Sequence, residues 1–141
     1  MKNLFFAFFV LSLPLASSAA GPFEGRWSYS QSCGWRHAAS LHLTQKGPNV
    51  SGIWSDGHRA AGWGGELKGQ IKNDKLFVQF CDDDESGDKE YICPNFEPES
   101  TDHFIIKSGK LVWYRGGEKY ITLHKEVKNR PVPQDNNCSE E

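Results

Sequence analysis

The chain has 141 residues, 16 Lys and Arg against 18 Asp and Glu, and a formal net charge of −2. That length suits one domain with one core, and the near-neutral charge lacks the basic footprint of a nucleic-acid binder. Past the first twenty residues no stretch is apolar enough to suggest a membrane span.

In chain order, residues 1–20 read as a secretory signal peptide. Lys2 gives the positive start, residues 4–15 are rich in Phe and Leu, and Ser18-Ala19-Ala20 offers the small residues a signal peptidase needs. Cleavage is expected after Ala20, with Ala19 as the alternative. It leaves 121 residues and, with Lys2 removed, a charge of −3. The destination is the periplasm or the medium. Asn49-Val50-Ser51 and Asn137-Cys138-Ser139 are glycosylation sequons, relevant only in a eukaryotic secretory route.

The remainder has a period of two. Strands are predicted over 26–31, 39–45, 50–55, 65–72, 75–81, 104–107, 110–115 and 120–125. The clearest is the hairpin in which Leu67, Gly69 and Ile71 alternate with Lys68, Gln70 and Lys72. Asn73-Asp74 turns it, and Leu76, Val78 and Phe80 resume the apolar face. Ser108-Gly109 marks a second tight turn. No helical periodicity stands out. Eight short antiparallel strands leave two edges, which closure of the first strand on the eighth removes. The expected architecture is therefore an all-β, eight-stranded up-and-down barrel over 21–125, with a sandwich as the alternative. Residues 126–141 form an extended tail.

Cys33, Cys81, Cys93 and Cys138 remain after cleavage. An even number in an exported domain implies disulfides, with three possible connectivities, and the spacings suit no zinc site. The most local pairing, Cys81 with Cys93, would pin the long 82–102 connection. Cys33 with Cys138 would then tether the tail.

Gly25-Arg26-Trp27 resembles the Gly-x-Trp element that opens lipocalins and avidins, the calycin barrels. The resemblance implies that Trp27 plugs the closed end, with Arg115 or Lys125 packed on it. The lack of a helix after the barrel is more similar to the avidin-like or protease-inhibitor barrels. Ser108-Gly109 and Trp113-Tyr114-Arg115-Gly116 resemble segments of the bacterial lysozyme-inhibitor barrels, at a shorter spacing.

Up-and-down topology sorts the connections into two ends. Tight turns at 46–49, 73–74 and 108–109 share one. The connections at 32–38, 56–64, 82–102 and 116–119 share the other, where Trp35, Arg36, His37, His58, Arg59, Trp63 and Tyr91 collect as candidate binding residues. Aromatics and Arg dominate protein interfaces. His37, His58 and the run Asp82-Asp83-Asp84-Glu85 have no metal-site spacing. Asp82, Asp84, Ser86 and Asp88 alternate without a calcium-loop signature. No serine sits in a nucleophile elbow. With no cofactor motif, the expectation is an exported non-catalytic binding protein. It would inhibit a secreted or periplasmic hydrolase, or protect against one, through the long-loop end. The alternatives are a calycin-type carrier of a small apolar ligand and, third, an enzyme with a loop metal site.

Overall fold

The computed structural model describes residues 20–84, 90–99 and 101–138. The expected signal peptide lies almost wholly outside the described residues. So do Glu85, Ser86 and Asp88 of the acidic loop.

Eight strands follow in order: β1 Gly25–Ser30, β2 Ala38–Lys46, β3 Asn49–His58, β4 Ala61–Lys72, β5 Lys75–Asp82, β6 His103–Lys107, β7 Lys110–Arg115 and β8 Glu118–Lys125. Each pairs antiparallel with the next, and β8 returns to β1, closing the barrel. The described residues contain no helix.

The turn chemistry explains the closed end. Asn73 and Asp74 have φ of 51° and 63°, and Ser108 and Gly109 have 51° and 73°. Two successive left-handed residues are what a two-residue hairpin needs to match strand twist.

Alternation fills the interior. Trp27, Leu41, Leu43, Leu67, Leu76, Phe104, Leu111, Trp113 and Leu123 are all at most 2% exposed, so the barrel axis is occupied by side chains. Phe23, ahead of β1, plugs the closed end, and its carbonyl accepts the Trp27 Nε1–H at 2.9 Å. Lys125 Nζ lies 5.4 Å from the Trp27 ring centroid, the position that the calycin resemblance gives to a late cation. Arg115 is at the other end.

One predicted loop is not a loop. Residues 56–64 continue the β3–β4 ladder through Asp56↔Trp63, Gly57↔Gly62 and His58↔Ala61, leaving a turn of only Arg59-Ala60. Gly57, Gly62 and Gly64 hide this extension, because Gly weakens a strand signal. Gly65 is required: a Cβ there would collide with the Cys81 carbonyl of β5.

The strands diverge at two seams, and other segments fill them. Above Val78, β5 is met by the 5–6 connection: Glu97 N–H donates to Phe80 O at 3.0 Å and Asp82 N–H to Tyr91 O at 2.8 Å. Beside β1 the tail takes over, with Asp135 N–H donating to Ser30 O at 2.8 Å. The disulfides Cys81–Cys93 and Cys33–Cys138 anchor these two fillers.

Candidate functional site

The open end is built in two tiers. The lower is a polar layer capping the apolar core. Alternation along β3 turns Trp54 inward, Ser55 out and Asp56 inward again, and Asp56 is 6% exposed. Burying a carboxylate demands partners, and three arrive from different parts of the chain. His37, just ahead of β2, brings Nε2 to 2.5 Å from Asp56 Oδ1. The Tyr120 hydroxyl donates to Asp56 Oδ2 at 2.6 Å and lies 3.1 Å from His37 Nε2. Arg115 Nη1 donates to the same Oδ2 at 3.3 Å.

A register shift supplies Tyr120. Trp113 pairs with Ile121 but Tyr114 with Lys119, so Tyr120 has no opposite number in β7. This bulge re-aims its ring into the barrel mouth. Arg115 then spans the layer. Its guanidinium sits 4.9 Å and 4.6 Å from the Trp113 and Tyr120 ring centroids, and Nε donates to Asp102 Oδ2 at 3.4 Å. Trp113 Nε1–H donates to that same oxygen at 3.1 Å. Tyr29 flanks His37 edge-on at 5.1 Å and donates its hydroxyl to Asp135 Oδ2 of the tail at 2.7 Å.

These contacts shift the titrating groups. Burial first, then the hydrogen bond and charge of Asp135, pushes the Tyr29 phenol up to about 12. Burial, then the bond to Asp56, pushes Tyr120 up further still. The Asn137 N–H, then the Tyr29 hydroxyl, hold Asp135 below its ordinary carboxylate value.

The upper tier is aromatic and exposed. Trp35 is 62% exposed and Trp63 43%. Both pack edge-on against His58, at 5.6 Å and 6.1 Å. Ala60 N–H donates to His58 Nδ1, and Arg59 ties the turn to the 1–2 connection through its N–H to Trp35 O at 2.9 Å and Nη2 to Gly34 O at 3.4 Å. Arg36 sits at φ 52°, a left-handed conformation uncommon for a side-chain-bearing residue. His58 is the ridge between two hollows. One, of about 630 Å³, has Trp35, His37, Tyr29, Tyr120 and Lys119 in its walls. The other, of about 520 Å³, has Trp63, Arg36, Asp56 and Asp83. A third hollow of about 680 Å³ lies on the outer wall of β2–β5 among Lys46, Lys68, Lys72 and Phe77, with no buried polar group to fix a ligand.

Of the residues singled out from sequence, Trp35, Arg36, His37, His58 and Trp63 line the two hollows at the open end. Arg59 braces it without lining either. Tyr91, in the 5–6 connection, lines neither hollow and donates to neighbouring Glu90. His37 does not join His58: it turns down to Asp56. Among the described residues, the one metal-type cluster is Glu66, Cys81 and Cys93, whose two sulfurs are joined in a disulfide and offer no thiolate. Asp56, Arg115 and Tyr120 are missing from the sequence reading as site residues. Asp56 shares the parity of Trp54 and was findable had β3 been extended; the bulge at Tyr120 leaves no sequence signal.

Comparisons with protein-family models, curated proteins and solved structures return no match for this chain.

Proposed function

We propose that the protein is an exported, non-catalytic binding protein whose open end docks a macromolecular partner, with a hydrolase of the export compartment as the partner class. The observation that carries this reading is the pair of exposed tryptophans braced on His58, each walling its own hollow above an internally satisfied polar layer. Rigid, half-exposed aromatics beside Arg make strong anchors, because they bury much area for little lost entropy. The acceptor oxygens of Asp56 are occupied by His37, Tyr120 and Arg115, which suits a scaffold better than a reacting centre. Two disulfides fit an oxidising compartment. A calycin relationship is supported by the closed meander and by Trp27 under Lys125. Against the carrier alternative stands the filled axis around Trp27, Phe104 and Trp113.

The test is capture from the native exported fraction on the immobilised mature chain. A stoichiometric hydrolase that loses activity on binding, and escapes Trp35→Ala or Trp63→Ala, supports the proposal. A co-purified small apolar molecule that quenches tryptophan fluorescence regardless of those changes favours the carrier. Turnover abolished by His37→Ala overturns both.

A further inference from the structure

β1 and β8 close the barrel through a short ladder: Trp27↔Lys125 and Ser28↔His124, and no further. Beyond it, β1 belongs to the tail. Asp135 N–H donates to Ser30 O, Ser32 N–H donates to Asp135 O at 3.0 Å, and Gln31 and Asp135 form a parallel bridge. Continued by two residues, the β1–β8 register would set Ser30 opposite Thr122, and it is Ser30 that the tail has taken.

Strand alternation says which β8 groups face this seam. Glu126 N–H donates to Arg26 O at 2.8 Å, so the peptide groups of His124 and Thr122, at the same parity, point the same way. Thr122 therefore presents its backbone to a seam in which no β1 residue is its ladder partner. A row of main-chain donors and acceptors at such a gap is a template for an added strand.

The gap has volume. A groove of about 370 Å³ runs between Thr122 and His124 on the β8 side and Pro133 and Asp135 on the tail side. It is continuous with the Trp35 hollow, sharing Tyr29, Lys119, Tyr120, Ile121 and Asp135 with it. Pro133 has no N–H, so the tail makes a poor ladder partner there. The charges are lopsided. Lys110 and Lys119 line the groove, and the carboxylate Asp135 is engaged by the Tyr29 hydroxyl and the Asn137 N–H.

We propose that this seam is a strand-acceptor groove for an extended acidic segment of the protein partner. The segment pairs its main chain with β8 at Thr122, sets its carboxylates against Lys110 and Lys119, and leads an apolar side chain into the Trp35 hollow. The proposal rests on the open end being the partner-docking face, and it names the chemistry of what docks.

The probe is a capped hexapeptide alternating Val and Glu, with a Val–Lys hexapeptide as control, added to the isotope-labelled mature chain with both disulfides intact. The Val–Glu peptide is expected to shift the Thr122 amide and slow its hydrogen exchange. Its binding should weaken about tenfold in the Lys110→Glu/Lys119→Glu double variant, and fall with salt as charge-steered contacts do. Both lysines are exposed, so the double variant is chosen to spare the core; Thr122→Pro, which removes the N–H, is the harsher second variant. Equal binding of the Val–Lys peptide, or unchanged Thr122 exchange, overturns the proposal. So does Thr122 protection that grows with protein concentration without peptide, since a second copy is then the occupant. If Trp35→Ala abolishes partner capture while the double variant captures normally, the docking face stands and the groove falls. If the peptide binds as described while Trp35→Ala and Trp63→Ala leave capture intact, the groove stands and the docking face falls.

Discussion

Asp56 is the residue on which the open end turns, because one carboxylate receives His37, Tyr120 and Arg115. Asp56→Ala would strand all three, and hydrogen bonds to a charged, buried group each contribute about 1.5–3 kcal/mol. The expected loss is at least about 2 kcal/mol in urea unfolding, with Asp56→Asn losing less because it keeps one acceptor oxygen. The Tyr29–Asp135 contact gives a pH dependence with two arms. Tyr29 keeps its proton in the fold up to about 12, against 10.0 when unfolded. Between those values the unfolded chain has already ionised, so stability falls as pH rises. Asp135 has its carboxyl held below 3.8, so its contribution is full above that value and is lost as pH falls through the depressed one. The tail anchor is therefore tightest between the two arms. Amide exchange at Asp135 and Asn137 across the pH range checks this, and Asp135→Asn should erase the acid arm. An acid arm that survives Asp135→Asn would contradict the assignment.

At the scale of elements, period-two alternation was enough to read eight strands, because each inward residue meets the same core and a slip of one would expose it. The turns at Asn73-Asp74 and Ser108-Gly109 were legible for the same local reason, their φ preference. What was not legible depends on neighbours. The extension of β3 and β4 through Asp56 is made by pairing across glycines, and glycines carry no facial signal. Tyr120 faces the mouth because β7 lacks a residue opposite it, which is a property of two strands and of neither alone. The double use of the 5–6 connection and the tail as seam fillers is likewise tertiary. That arrangement predicts different consequences for the two disulfides. Cys81–Cys93 spans 12 residues and Cys33–Cys138 spans 105. Chain entropy assigns them roughly 3 and 5 kcal/mol. Cys138→Ser should thus cost more, and should also release the Ser32 amide, which donates to Asp135 O, to faster exchange. Cys93→Ser should leave Ser32 protected and loosen Asp82, which donates to Tyr91 O. Equal loosening of both amides in either variant would show that the seams open as one unit.

For the whole molecule, the proposed function puts recognition at a different depth from stability along one axis. The apolar layers from Phe23 to Trp113 are sealed, the polar layer around Asp56 caps them, and only above that do the Trp35 and Trp63 rings reach solvent. Such a division requires opposite responses to two truncations. Leu76 is fully buried, and removing its side chain should cost about 2–5 kcal/mol of unfolding free energy through lost transfer energy and a residual cavity. At temperatures where the chain stays folded, partner affinity should be unchanged, because the polar layer separates the cavity from the hollows. Trp35 is mostly exposed, so Trp35→Ala should move stability by no more than about 0.5 kcal/mol. It should nevertheless weaken partner binding by about 2 kcal/mol or more, the cost typical of a central aromatic anchor. Thermal unfolding and calorimetric titration of the same two variants make the comparison. If Trp35→Ala lowers stability and affinity together, the aromatic tier is a lid on the barrel, and the working face must be sought elsewhere.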